Sequence, residues 1–332
     1  VIDDTGAWRG EGTDSGFRLT PEQNEVVTDH WQQARQVQAE LDRKLRGVQS
    51  SVAGRGGRLE GLQYSLKGLD SLRRKVAEPA MRGIRVEKPL RKNNDLHRYT
   101  LTFPAEEYTT GTKQVYEQLR EQGYRPIPGS EKNTWEDPVY KGLNTTWEHS
   151  ERPEKFELQF HTPESFRAKM DNHELYEISR AGYFTNKFQN EPELAKEYEQ
   201  AVDLLQNERY QNVRIPPGVE ELGERKVRAT LNPAVRPQVI EEVRAYEAEV
   251  RAGHSAKAAG AEATEPVETA TEPVVEAEVS EDLAALLEDD GPSLRDRITP
   301  PGLPAQRTQN AAPSLTDSPL PDLRQGPKGP RL

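Results

Sequence analysis

The sequence predicts an α/β domain followed by a long low-complexity tail, and three observations carry that reading. Between about residues 20 and 210, stretches with strand-type alternation take turns with stretches of helical periodicity, the pattern of an α/β domain. With 33% hydrophobic residues and a mean hydropathy of −0.91, a chain of 332 residues is too polar for one continuous core. Ala263 to Glu278 is an Ala, Glu, Pro and Val background in which Thr-Glu-Pro-Val occurs twice, and the last forty residues are Pro-rich, which predicts a disordered tail over 253–332.

Residues 1–19 are Gly- and Asp-rich and predict an irregular segment. Thr20-Pro21-Glu22-Gln23 is a capping box with Pro at the first helical position, so a helix starts there. Val26, Val27, Trp31, Ala34, Val37, Leu41 and Leu45 give it an apolar stripe as far as Val48. Ser50 to Arg58 reads as a Gly/Ser/Arg loop, a further helix begins near Leu69, and residues 82–94 read as a basic connector broken by Pro89. Arg98 to Phe103 is strand-prone, and Tyr108 to Gln122 is an amphipathic helix stopped by Gly123. A short strand over Tyr124 to Ile127 and a polar loop follow. The strands Leu143 to Trp147 and Lys155 to His161 then form a hairpin around Glu151-Arg152-Pro153-Glu154. Thr162 caps the next helix with Pro163 at its first position, and Pro192 to Gln206 is another helix. Residues 211–252 are a charged extension in which Pro237 to Arg251 reads as one exposed helix.

Charge is uneven. The net value is −11, yet residues 55–98 are strongly basic and the charges within 262–290 are acidic. A basic island in an acidic protein signals an anion site. The absence of cysteine excludes a disulfide framework, a thiolate zinc site and a cysteine nucleophile. No apolar run is long enough to span a membrane, and the amino terminus lacks the apolar stretch of a signal peptide. A first residue of Val rather than Met reads as a piece of a longer polypeptide.

Four blocks carry candidate chemistry. In Lys155-Phe156-Glu157-Leu158-Gln159-Phe160-His161-Thr162 the apolar residues alternate with Glu157, Gln159 and His161, so a half-buried strand presents a carboxylate, an amide and an imidazole on one face. Alone, that is an ordinary wet strand face. Lys67, Ser71, Arg74 and Lys75 surround a Gly-containing turn into a helix, where cations, a hydroxyl and free N–H groups suit a polyphosphate, as a plain basic surface helix also would look. Asp95 directly precedes a strand, a place from which a carboxylate reaches Mg²⁺ and where turn residues are common. Tyr140-Lys141-Gly142-Leu143-Asn144 sets an aromatic ring and an amide before a strand, fit to stack on a nucleobase or to cap the core. His161 and His173 lie near these blocks, whereas His30, His97, His149 and His254 have no ligand spacing, which argues against zinc. There is no nucleophile elbow, Walker A sequence or dinucleotide fingerprint.

In order and spacing the four blocks resemble the synthetase domain of the RelA/SpoT family, ribose-3′ pyrophosphokinases that make guanosine tetra- and pentaphosphate. The resemblance covers about residues 58–185 and is closest to small and toxin-like members, in which the last block often reads Gln-Phe-His-Thr-Pro-Glu-Ser, as at 159–165 here. It implies a nucleotidyltransferase-like mixed sheet flanked by helices. Lys67, Ser71, Arg74 and Lys75 would then cradle the ATP phosphates. Asp95 and Glu157 would hold Mg²⁺, with Glu157 also taking the proton of the acceptor 3′-hydroxyl. Tyr140 would stack on the acceptor base, and Asn144, Gln159 and His161 would line its pocket.

The departures are specific. Ser65 stands where the family usually has Arg, and Asp95-Leu96-His97-Arg98 replaces Asp-x-x-Gly-x-Arg. Asn144 and His161 stand where alarmone makers commonly have His and Arg. The acceptor therefore stays open among GDP or GTP, ADP or ATP, and the 3′ end of tRNA. The family's hydrolase domain has no counterpart, which favours a toxin or a tightly regulated synthetase. The expected setting is cytoplasmic action, without a membrane, by a chain delivered as part of a secreted or phage-borne polypeptide. Expected partners are an antitoxin or the parent polypeptide, and a homo-oligomer. The competing readings are a degenerate nucleotide-binding module without catalysis and, third, a basic-patch RNA-binding protein.

Overall fold

The computed structural model describes residues 1–11 and 15–262, with side chains to residue 253; of the tail expected over 253–332, residues 253–262 are helical and continue the last helix, and the rest lies outside the described residues. In chain order the elements are β1 (Trp8–Arg9), β2 (Arg18–Leu19), α1 (Pro21–Val52), β3 (Arg58–Glu60), α2 (Leu69–Met81), α3 (Glu87–Lys92), β4 (Arg98–Thr102), α4 (Tyr108–Glu121) and β5 (Tyr124–Pro126). There follow β6 (Lys132–Asn133), β7 (Leu143–His149), β8 (Lys155–His161), α5 (Pro163–Asp171), α6 (His173–Arg180), α7 (Tyr183–Lys187), α8 (Pro192–Tyr210), β9 (Glu224–Arg225) and α9 (Pro237–Glu262).

The main sheet has the order β3-β4-β8-β7-β6-β9, with β5 also paired to β7. It is mixed: β4 runs parallel to β8 and β6 to β9, while the other pairs are antiparallel. The expected hairpin is present, with Leu143 opposite Phe160 and Asn144 opposite Gln159. One face of the sheet is apolar. Tyr99, Leu101, Phe103, Phe156, Leu158, Phe160, Leu143 and Trp147 are all buried, and Leu41, Leu45, Val48 and Val52 of α1 belong to the same core.

Helix α1 begins with the expected capping box, Thr20 and Gln23 bonding reciprocally. Its buried stripe is Val27, Ala34, Leu41, Leu45, Val48 and Val52, whereas Val26 faces solvent. The N-terminal part of this stripe meets a second core made by Trp8, Leu19, Leu72, Val76, Ala77, Val86, Leu90 and Leu96. Arg73 docks α2 there, donating to Asn24 Oδ1 at 2.8 Å and to Asp70 at 2.8 Å.

Several expectations change. The N-terminal segment is not irregular throughout, because β1 pairs with β2 and Trp8 is buried with its indole N–H on Asp70 at 3.0 Å. The loop expected over Ser50 to Arg58 starts later, because α1 runs on to Val52 and a 3-10 turn follows over Ala53–Arg55. The connector around Pro89 contains α3, whose first turn tolerates Pro because those N–H groups need no helical partner. Helix α9 is not an exposed helix: Val239 and Val243 are buried in a core shared with α6, α7 and α8. The face of β8 expected to be half-wet is covered, and Gln159 and His161 are both 0% exposed.

Candidate functional site

The site grows from the parallel β4–β8 pair. Its register sets Arg98 beside Glu157, Thr100 beside Gln159 and Thr102 beside His161, so their side chains share the polar face. Helix α5 covers this face because Thr162 and Ser165 cap it at the end of β8 and Pro163 fixes its first turn. Lys169, one turn after Ser165, then reaches inward and donates to Gln159 Oε1 at 2.6 Å. Gln159 in turn donates to Glu157 Oε1 at 2.6 Å.

Lys67 is brought in from the other side. Residues 65–67 run alongside 96–98, with Lys67 N donating to the Leu96 carbonyl and Arg98 N to the Ser65 carbonyl, both at 2.8 Å. The indole of Trp31 on α1 holds the Lys67 carbonyl at 2.7 Å. As a result Asp95 sits among three cations: Lys75 Nζ at 2.6 Å, Lys67 Nζ at 3.4 Å and Arg98 Nη2 at 3.4 Å. Arg98 also contacts Glu157, Nε to Oε1, at 3.3 Å. Burial pushes the Asp95 carboxyl up, but the ammonium groups of Lys67 and Lys75 and the Arg98 guanidinium more than reverse this and hold it well below the usual carboxylate range.

Lys67, Lys75, Asp95, Glu157 and Gln159 therefore join one contact chain. Ser71 lies one turn before Lys75 on the same face of α2, and Arg74 beside it; both are half-buried. Arg98 and Lys169 complete the chain and were not among the expected site residues. Four cations here face two carboxylates, and all but Glu157 and Lys75 are buried. Asn93, whose Oδ1 accepts from Lys75 at 3.0 Å, keeps a buried Nδ2 donor without a partner among the described residues. The Thr100 hydroxyl is likewise buried without one.

Tyr140, Asn144 and His161 form a second network further along β8. The Tyr140 hydroxyl donates to Asn144 Oδ1 at 2.9 Å and meets His161 Nε2 at 3.1 Å, while His161 Nδ1 meets Ser165 Oγ at 3.0 Å. The Tyr140 and His161 rings stand edge to face, 5.6 Å apart. Asp137 clamps the loop, its Oδ1 accepting from the N–H groups of Val139 and Tyr140 and its Oδ2 from that of Arg228. From Glu157 to His161 the strand covers about 13 Å.

Ser65 faces away from the cations. It is fully buried, donates to Asp42 Oδ1 at 2.8 Å and accepts from Gln38 at 3.1 Å, and so ties the loop to α1. Gly142 has a steric role: a Cβ there would lie 2.6 Å from the buried His161 ring. Gly142→Ala should cost about 1–3 kcal/mol by overpacking. His161→Ala in the same chain should recover part of that loss in thermal melts; strictly additive losses would show that the two positions do not compete for space.

Fold and site together define a mixed-sheet α/β protein with a cation-rich cluster around two carboxylates on the polar face of its sheet. No protein-family model matches the sequence. No curated protein matches it either. Solved structures do. A protein from Streptococcus mutans is similar at 17% identity and a TM-score of 0.35, covering 55% of this chain and 88% of that one. The small alarmone synthetase 1 of Bacillus subtilis is similar at 12% identity and 0.35, covering 56% and 90%. A GTP pyrophosphokinase family protein of Streptococcus pneumoniae is similar at 17% identity and 0.34, covering 59% and 94%.

Proposed function

We propose that this protein transfers the β,γ-diphosphate of ATP to the 3′-hydroxyl of a nucleotide or of tRNA. The observation that carries the reading is the chain of Lys75, Lys67, Arg98 and Lys169 around Asp95, Glu157 and Gln159, with the Asn93 donor left over. Buried cations in excess of carboxylates, beside a vacant donor, suit the oxygens of a polyphosphate. Lys67 and Lys75, with Ser71 and Arg74, bind the phosphates of ATP. Glu157, the partly exposed carboxylate of the chain, faces the acceptor hydroxyl and takes its proton. Tyr140 and Asn144, both partly exposed, hold the acceptor within a nucleotide's length of Glu157, and the buried His161 positions the Tyr140 hydroxyl.

The donor set also fits Mg²⁺, since two hard carboxylates contact one guanidinium and Mg²⁺ commonly takes one or two carboxylates plus substrate phosphates. Asp95 and Glu157 would hold it, and it would neutralise charge on the β- and γ-phosphates. The test offers purified protein γ-labelled ATP with GDP, GTP, ADP, ATP or bulk tRNA in parallel. Label on one acceptor supports transfer and identifies the acceptor class. A nucleotide-binding module without catalysis is the second reading, favoured by Ser65, which is turned into α1 and adds nothing to the phosphate side. Its signature is ATP binding with no labelled product.

A further inference from the structure

Arg98 opens β4 directly opposite Glu157, and its guanidinium contacts both carboxylates that would take a divalent cation. Its side chain is 3% exposed, so the charge is part of the interior and not a surface group that wanders in. Both contacts, at 3.4 and 3.3 Å, are longer than a tight charge-assisted hydrogen bond, whereas Lys75 holds Asp95 at 2.6 Å. Arg98 is thus a cation in contact with both carboxylates, and Lys75 the closer partner of Asp95.

A free divalent ion approaching Asp95 and Glu157 must displace this guanidinium while Lys67, Lys75 and Lys169 repel it. A polyphosphate changes the balance. It brings several negative charges and its own oxygens, satisfies the lysines and gives Arg98 a new partner. We propose that Arg98 is a built-in counter-cation that keeps divalent metal off Asp95 and Glu157 until a polyphosphate enters, so that metal and nucleotide arrive together. The arrival step rests on the polyphosphate reading; the exclusion step does not, and rests on Arg98, the two carboxylates and the lysines around them.

The exclusion step is tested with Mn²⁺ as the probe, on the full chain without nucleotide, by electron paramagnetic resonance of the free ion and by calorimetry. Wild type should bind Mn²⁺ no tighter than millimolar. Arg98→Gln should bind it at least tenfold more tightly, and the gain should disappear when Asp95→Asn is added. Arg98→Met, which keeps the packed stem and removes the charge, should show the same gain and serves if the glutamine variant does not fold. Asp95-dependent micromolar binding by wild type overturns the proposal, as does a folded Arg98 variant with no gain. Because no nucleotide is present, this result and the labelled-ATP result fail separately.

Discussion

Glu157→Gln should abolish diphosphate transfer while leaving the protein folded. The side chain lies at the partly exposed end of the contact chain, and its Oε1 accepts from Gln159 at 2.6 Å. A glutamine keeps the volume and an acceptor oxygen there but removes the negative charge and the basic site. Loss of a positioned proton acceptor costs about 10²–10⁴-fold in rate, and loss of a metal ligand adds to it. The expected result is a labelled-product rate at background with ATP binding retained and a melting temperature within a few degrees of wild type. A fully active variant would remove Glu157 from the chemistry. An inactive variant that also fails to bind ATP would place it in ligand binding instead.

Asp95→Asn should have the largest effect on stability. The carboxylate is the shared counter-charge of Lys67, Lys75 and Arg98, and Lys67 and Arg98 are almost wholly buried. Removing one partner of a buried ion cluster strands the others, at a cost of about 3–5 kcal/mol. For a domain of this size that is a fall in melting temperature of roughly 10 °C or more. The pH dependence follows from the depressed Asp95 carboxyl. Its folded-state value lies below its unfolded one, so the stabilisation is present above the unfolded value near 4 and is lost only as pH falls through the lower folded value. The gap between wild type and Asp95→Asn should therefore be constant from pH 7 to about 5 and close only in stronger acid. Melts at pH 7, 5 and 3 check this; a gap of under a degree at pH 7 would show that the three cations are held by something other than Asp95.

What could be read from the sequence was what local chemistry decides. The capping box at Thr20, the N-cap at Thr162, the Gly123 stop and the β7–β8 hairpin are signals within a few residues of where they act, and all four are in the fold. Less legible were elements too short for periodicity, such as β3 and α7, and α3, where Pro89 suggested a break but falls in a helical first turn. The burial of Gln159 and His161 was not legible at all, since a strand's alternation says which groups share a face and not what lies over it. Lys169 had a faint signal: it follows Ser165 by four residues, on the helix face that Ser165 turns toward β8. Arg98 stood in plain view three residues after Asp95, but only the parallel register shows it touching both carboxylates.

Helix α1, about 48 Å long, is the common wall of two separately packed interiors, with Val27 and Ala34 in one and Leu41 to Val52 in the other. The ammonium of Lys75 rides on the smaller interior and the carboxylate of Glu157 on the sheet, so the distance between them depends on how firmly two cooperative folding units are coupled. Amide exchange should resolve those units. Protons on α2 should exchange through partial openings that leave β4, β7 and β8 closed, and a bound polyphosphate, by linking the units through its own charge, should slow α2 toward the rate of the sheet. Equal exchange rates in both units without ligand would mean that the wall makes them one. In the expected case the site takes its working dimensions from the substrate that it binds, and affinity carries the cost of closing the seam between the two interiors.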